Sequence, residues 1–127
     1  MLVYGSPRIT APDNIFIGNN INLNEGCVLN ATASKNTICD NVTISANAMI
    51  LAATYDTKLF LEKNDRSHID RPVYIGNNVW ICAGAIICPG VTICDNVIVS
   101  AGSVVISDIT ETNVLVAGNP ARIVKRY

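Results

Sequence analysis

A six-residue repeat runs through most of the 127-residue chain and restricts its fold more than any other feature. Ten hexads begin with an aliphatic residue: Ile17, Leu23, Ile38, Ile44, Ile75, Ile81, Ile87, Ile93, Val99 and Val105. The fourth position is always Gly, Asn or Asp, residues that tolerate a left-handed backbone: Asn20, Gly26, Asn41, Asn47, Asn78, Gly84, Gly90, Asn96, Gly102 and Asp108. The fifth position is small or β-branched: Ile21, Cys27, Val42, Ala48, Val79, Ala85, Val91, Val97, Ser103 and Ile109. The pattern predicts a short strand and then a tight turn in each hexad.

Three such hexads close a triangular coil of about 18 residues, and stacked coils pair as parallel strands. Because one coil cannot cover its own apolar interior, neighbouring coils supply the core. A meander or sandwich of short strands is the alternative, but its turns come every 8 to 12 residues or so rather than at a fixed short interval. The 17 Ile and 13 Val against 7 Leu also favour pleated strands. We therefore predict an all-β fold, a parallel β-helix with residues 1–127 in one domain.

The composition argues against several classes of protein. Only 15% of the residues are charged and the net charge is −1, which disfavours a nucleic-acid or anionic-membrane partner. The longest apolar run, residues 79–88, is about half as long as a membrane span. The first residues lack a basic region before an apolar core, so we expect no signal peptide. The five cysteines form no C-x-x-C pair, and we expect reduced thiols in the cytoplasm and no bound metal.

Two segments break the six-residue period, and such breaks are where functional residues are expected. The first is a register slip across residues 30–37. The second, at about residues 55–72, is charged and aperiodic, and we interpret it as an excursion loop. A disordered surface insert is the alternative for that segment. After Ile109 a short C-terminal tail leaves the period and ends in basic residues.

The segments VYIGNNVWICAGAIICPGVTICDNVIVSAGSVV and AGNPARIVKRY carry a resemblance to a known family. The chain resembles the hexapeptide-repeat acyltransferases, which are left-handed parallel β-helices, and in particular the sugar O-acetyltransferase branch with galactoside, maltose and capsule or lipopolysaccharide acetyltransferases. The resemblance implies a left-handed coil and a homotrimer with acetyl-CoA bound in clefts between subunits. It also implies that the acetyl group passes to a saccharide hydroxyl.

Three residues are candidates for catalytic roles, two from the resemblance and one because it is the only histidine in the chain. The family has a histidine at the start of the excursion loop, and this chain has Tyr55 there, a poor base because a tyrosine pKa lies near 10. Tyr55 either acts as a base with a lowered pKa or fills the space of the missing one. The sole histidine, His68, is the substitute base that we expect, flanked by Asp65, Arg66, Asp70 and Arg71; a solvated loop histidine is the alternative. Asn24 resembles an asparagine that faces the acetyl or acceptor group, against a turn asparagine.

The resemblance also implies residues that bind the cofactor. Trp80 resembles a tryptophan beside the cofactor groove, and Ser107 a hydroxyl residue within its reach. Small turn residues let the pantetheine arm approach the backbone: Ala83, Gly84, Ala101 and Gly102. Arg122 and Lys125 match basic residues aimed at the adenosine phosphates, with a solvated basic tail as the alternative.

Other functions remain to be weighed against an O-acetyltransferase. An amino-sugar acceptor needs less from a protein base, because an amine is the better nucleophile. A catalytically impaired relative that retains CoA binding or acts as an interaction subunit is the second hypothesis. Zinc-dependent carbonic anhydrases of the same fold need three histidine ligands, and this chain has one histidine. A spacing of six residues places Cys82, Cys88 and Cys94 on three different sides of the prism, and we interpret them as small apolar residues that fill space.

Overall fold

The computed structural model describes residues 1–127 and shows a parallel β-helix of about six turns. Its strands are short: β1 Leu2–Val3, β2 Arg8–Thr10, β3 Ile15–Ile17, β4 Asn22–Leu23, β5 Val28–Asn30, β6 Asn36–Ile38, β7 Thr43–Ile44, β8 Met49–Leu51, β9 Val73–Ile75, β10 Val79–Ile81, β11 Ile86–Ile87, β12 Thr92–Ile93, β13 Val97–Val99, β14 Val104–Val105, β15 Val114–Gly118 and β16 Ala121–Arg126. A 3-10 helix covers Pro12–Asn14, and one α-helix, α1, covers Thr57–Lys63. The predicted fold class, a left-handed parallel β-helix, is confirmed.

The strands form three sheets, which are the three faces of a prism. A seven-stranded sheet has the order β1-β4-β7-β10-β13-β15-β16, a five-stranded sheet β14-β11-β8-β5-β2, and a four-stranded sheet β12-β9-β6-β3. Regular coils advance by 18 residues, as where Trp80 pairs with Ile98. The step from Thr43 to Trp80 is 37 residues, because the excursion loop is inserted in that coil.

Two of the three corners of the prism concern the site, and they are called the first edge and the second edge. The first edge joins the seven-stranded to the five-stranded sheet and consists of residues 4–7, 24–27, 45–48, 82–85 and 100–103. The second edge joins the five-stranded to the four-stranded sheet and consists of residues 11–14, 31–35, 52–72, 88–91 and 106–108. The excursion loop therefore projects from the second edge.

The core follows the hexads as predicted. Every fifth-position side chain is buried, and so is every first-position side chain except the half-buried Ile17. All of them except Ile17 and Ser103 belong to one apolar cluster of 25 residues, and Ile17 packs against it. Nine of the ten fourth positions have a positive φ, as the Gly and Asn residues predict. The exception is Asp108, whose carboxylate instead accepts a hydrogen bond from the backbone N–H of Thr92 at 2.8 Å.

The C-terminal tail is more regular than the sequence predicts. β15 extends the seven-stranded sheet by pairing parallel to β13, and β16 returns antiparallel to β15. Asn113, with φ 59°, provides the left-handed corner that comes before β15. Val114 and Val116 of β15 are buried, so the tail adds to the core at this end of the helix.

Candidate functional site

Tyr55 and His68 face each other at the base of the excursion loop. The two residues form an isolated antiparallel bridge, and their rings meet edge to face with centroids 5.1 Å apart. Together with Ala53 and Thr54 they line a cleft of about 250 Å³ on the second edge. The loop thus brings together the two residues that the sequence offered as alternative bases.

Asp70 holds the His68 ring and fixes the loop to the body of the β-helix. Its Oδ1 lies 3.2 Å from Nδ1 of His68 and accepts from the N–H of Thr54 at 3.2 Å, whereas Oδ2 accepts from the Thr32 hydroxyl and from the N–H of Ala33 at 3.0 Å. Burial by itself raises a carboxyl pKa, but these four hydrogen bonds outweigh it and lower the pKa of Asp70 from 3.8 to about 2. Asp70 is therefore a carboxylate at neutral pH.

Helix α1 covers the other side of Tyr55. The side chain of Asp56 caps the helix by accepting from the N–H of Leu59 at 3.1 Å, and Asn64 ends it with φ 48°. The rings of Tyr55 and Phe60 stack with centroids 5.9 Å apart, and Arg66 lies 3.8 Å above the Phe60 ring. The predicted excursion loop is thus an ordered element with its own helix, which argues against the disordered insert.

The small residues assigned to the cofactor lie on the first edge, away from the excursion loop. Ala83, Gly84, Ala101 and Gly102 are all exposed and follow one another in adjacent coils, where the N–H of Gly102 donates to the carbonyl of Ala83 at 2.9 Å. A Cβ added to Gly102 would meet no atom within 4 Å, so this edge has room beside its backbone. Asn24 lies on the same edge, two coils earlier, and its Nδ2 donates to the carbonyl of Ile44 at 3.0 Å.

Trp80 lies on the outer face of the seven-stranded sheet, between the first edge and the third corner of the prism, where the four-stranded sheet meets the seven-stranded sheet. Its side chain is 49% exposed, and Nε1 donates to the Ser45 hydroxyl at 2.9 Å. The ring lines one side of a cleft of about 520 Å³, which also involves Tyr127 and exposed asparagines of the third corner. Trp80 therefore offers a flat aromatic surface at a fixed orientation.

Ser107 and Arg122 share a cleft of about 500 Å³ at the C-terminal end. One guanidinium nitrogen of Arg122 donates to the carbonyl of Ala121 at 2.9 Å, and Arg122 has no acidic partner. Glu111, which lines the same cleft, pairs instead with Arg126 at 2.6 Å. Lys125 lies outside this cleft, with its ammonium group 4.8 Å from the centre of the Tyr127 ring.

The predicted site residues thus occupy separate places within one chain. Tyr55 and His68 meet on the second edge, whereas Asn24 and the small residues lie on the first. Sequence reasoning named Asp70 only as one of four charged neighbours of His68, and it missed Thr32 and Ser45 entirely. Thr32 lies in the other break of the period, but nothing in the pattern pairs the two breaks.

Two further observations concern metals and membranes. No group of three or more His, Cys, Asp or Glu side chains is arranged to hold a metal ion. The helix α1 has seven residues, and no helix of the chain has the length and apolar character to cross a membrane.

Known proteins share both the sequence pattern and the fold. Residues 72–107 match the family described as bacterial transferase hexapeptide (six repeats). The chain is 41% identical over 114 residues to the galactoside O-acetyltransferase of Escherichia coli strain K12, covering 88% of this chain and 54% of that protein. It is similar to a maltose O-acetyltransferase from Clostridium difficile 630, with 40% identity and a TM-score of 0.87 over 98% of this chain and 65% of that one.

A galactoside acetyltransferase in complex with coenzyme A is also similar, with 35% identity and a TM-score of 0.80 over 98% of this chain and 63% of that one. The chain spans only about half the length of the curated relatives that it matches, between 53% and 60%. The shared part is therefore the β-helix itself.

Proposed function

This chain belongs to the hexapeptide-repeat transferase family, and from that premise we propose that it transfers an acetyl group from acetyl-CoA to a saccharide hydroxyl. Three of the relatives, at 35% to 41% identity, are named as galactoside or maltose acetyltransferases. The structure of one of them was solved in complex with coenzyme A. The observation on which the proposal depends is the His68 imidazole in the cleft of the second edge. Its Nδ1 faces Asp70, and its Nε2 has no hydrogen-bond partner within the chain.

His68 is the base in this proposal. Its Nε2 removes the proton from the acceptor hydroxyl while the oxygen forms a bond to the thioester carbonyl carbon. The carbon–sulfur bond then breaks, and the proton passes from His68 to the departing thiolate, so that charge and atoms balance. A positioned base of this kind accelerates a reaction by about 10²- to 10⁴-fold. Tyr55 packs against the imidazole ring and limits its orientation.

The groups on the first edge fit an extended pantetheine arm. The open space beside Gly102 allows a ligand to approach the backbone closely, and Trp80 provides an apolar wall on the adjoining face. At the C-terminal end, the unpaired guanidinium of Arg122 suits a phosphate. Ser107, in the same cleft, and Lys125, on the neighbouring surface, complete the set that we propose for the donor.

A second copy of the chain is needed to complete this site. Asn24 lies on the first edge and His68 on the second, so one chain does not bring them together. If the second edge of one copy faces the first edge of the next, each cleft receives both groups, and three copies close a ring. We therefore propose a homotrimer with sites between subunits. The proposed compartment is the cytoplasm, since all five cysteines are free thiols.

The direct test replaces His68 with glutamine and measures acetyl transfer to a panel of sugars and amino sugars. The expected result is a loss of about 10²- to 10⁴-fold in kcat. Glu62→Gln, an exposed change on α1, is the matched control and should keep full activity. Unchanged turnover in His68→Gln would show that His68 is not the base.

A second arm distinguishes an enzyme from an impaired relative. Calorimetry measures coenzyme A binding by the unaltered protein, in parallel with the transfer assays. Binding together with transfer supports the proposal, whereas binding without transfer to any acceptor supports the non-catalytic hypothesis, which Tyr55 at the position of the family's histidine would then explain.

Mixing two inactive variants tests the proposed site between subunits. Asn24→Ala and His68→Gln chains are unfolded together, refolded and assayed. In mixed trimers, a cleft between the two kinds of chain can carry both native residues, and activity should return to a substantial fraction of the unaltered level. No recovery in assemblies that are demonstrably mixed would contradict a cleft built from Asn24 and His68 of different copies.

A further inference from the structure

The carboxylate of Asp70 joins the two segments that break the six-residue period. Two of its donors, Thr32 and the backbone of Ala33, belong to the first break, and the other two, Thr54 and His68, belong to the base of the excursion loop. The Asp70 side chain is only 4% exposed. A carboxylate this enclosed, with both oxygens engaged, has a single position relative to the coils.

Of the four charged residues that flank His68 in sequence, only Asp70 contacts the imidazole. Asp65 accepts from the backbone N–H and the hydroxyl of Ser67, at 2.8 and 2.6 Å. Arg66 lies over the ring of Phe60, and Arg71 lines a different cleft. The contact with Asp70 is therefore the one through which the protein can fix the orientation and the tautomer of His68.

We propose that Asp70 is a positioning residue for His68, which fixes the ring and its tautomer so that Nε2 is the free base. A carboxylate can only accept hydrogen bonds, so the Nδ1 that faces it must carry a proton in the neutral imidazole. Nε2 then keeps its lone pair, directed away from Asp70. Nδ1 keeps its hydrogen bond to the same carboxylate when Nε2 takes up a proton.

This arrangement follows the logic of the buried aspartate that orients a histidine in serine hydrolases. Here the aspartate is held by groups outside the His68 segment, mainly the Thr32 hydroxyl and the Ala33 N–H of the preceding coil. His68 lies on the excursion loop, but its position is thus fixed relative to the coils of the β-helix through Asp70. The catalytic part of this inference rests on the proposed transferase function. The tautomer does not, because it is present in the protein without substrate.

The test uses nitrogen NMR of the imidazole, which is free of overlap because the chain has one histidine. In the neutral form of the unaltered protein, we expect the proton on Nδ1. A proton mainly on Nε2 would overturn the proposal without any variant. In Asp70→Asn the preference should be lost and the two tautomers should mix, and an unchanged preference would equally overturn it.

Asp65→Asn is the matched control, because it makes the same chemical change close to His68 in sequence, but the Asp65 carboxylate contacts Ser67 and not the imidazole. It should leave the tautomer as in the unaltered protein. A shift in Asp65→Asn as large as that in Asp70→Asn would show that the effect comes from loosening of the loop, and this would contradict positioning by Asp70.

Kinetics provide the arm that depends on function. Asp70→Asn should lower kcat at least about 10-fold, a part of what a positioned base contributes, with little change in the KM for either substrate. Asp65→Asn should stay within about twofold of the unaltered kcat. If the unaltered protein acetylates no acceptor, the proposed function fails while the NMR result stands. If it is active and Asp70→Asn keeps its kcat, the catalytic role of Asp70 fails and the transferase remains.

Discussion

The hydroxyl of Thr32 donates a hydrogen bond to Oδ2 of Asp70, across 38 residues of sequence. Each residue lies in a segment that leaves the hexad pattern, so the two irregular segments form one structural unit on the second edge. The other carboxylate oxygen faces His68. The Asp70 side chain therefore both anchors the excursion loop and contacts the candidate base. A substitution at Asp70 should affect the free energy of unfolding and the state of His68 together.

The anchor should be sensitive to acid. The pKa of Asp70 is lowered to about 2 in the folded protein, against 3.8 for an ordinary carboxyl group. Because the folded value is the lower one, the carboxylate stabilises the fold above about pH 4, and this contribution falls as pH drops from about 4 towards 2. We expect this contribution to be roughly 2 kcal/mol at neutral pH.

Chemical denaturation of the unaltered protein and of Asp70→Asn at a series of pH values checks this dependence. The difference between their unfolding free energies, measured between about pH 2 and pH 5, should narrow as the pH falls below about 4. Other carboxyl groups titrate in both proteins, so their effects cancel in the difference. A gap that widens on acidification would contradict the assigned direction of the pKa shift.

The core should respond to truncation according to position in the hexad. Ile81 opens a hexad and is fully buried, whereas Ile106 is 55% exposed at a corner. Ile81→Ala should therefore cost about 2–5 kcal/mol of unfolding free energy. Ile106→Ala removes the same atoms and should change it by about 0.5 kcal/mol or less. Denaturant titrations of the two variants side by side measure this difference, and equal losses would contradict the hexad assignment.

The corner at Gly102 should be limited by backbone conformation rather than by space. Gly102 has a φ of 69°, and an added Cβ would meet no atom within 4 Å. Gly102→Ala should therefore destabilise the chain by about 1–2 kcal/mol through left-handed strain alone. Gly102→Asn is the matched comparison, because asparagine tolerates this conformation and occupies equivalent corners such as Asn78 and Asn96. Thermal unfolding should rank Asn above Ala, and the reverse order would point to a steric cause.

The regular part of the fold could be predicted because the local structure of each hexad depends on residues within that hexad. An aliphatic residue marks the inward side chain, and Gly or Asn marks the left-handed corner, without reference to distant residues. The prediction of a left-handed corner was wrong at one fourth position, where the side chain makes a different contact. Asp108 occupies a fourth position, but its carboxylate caps the N–H of Thr92, and its backbone does not become left-handed.

The irregular segments could not be predicted because their structure depends on contacts between distant residues. Helix α1 has seven residues, too few for a helical period to stand out, and it is fixed by the Asp56 cap and by packing of Phe60 on Tyr55. The contact between Thr32 and Asp70 has no signal in either segment. Placing His68 in a loop required only the sequence, whereas choosing its carboxylate partner required the structure.

Binding of coenzyme A should depend on Arg122 and much less on its neighbour Arg126. Both lie on β16, but the Arg126 guanidinium is engaged by Glu111 at 2.6 Å, whereas Arg122 has no acidic partner. A charge-assisted hydrogen bond contributes about 1.5–3 kcal/mol, so Arg122→Ala should weaken binding by roughly 10-fold or more. Arg126→Ala should change it by about threefold or less. Calorimetric titration of both variants with coenzyme A, at low and high salt, measures the contrast. If Arg126→Ala weakens binding as strongly as Arg122→Ala, the coenzyme phosphates contact a different part of the surface from the cleft that Arg122 shares with Ser107.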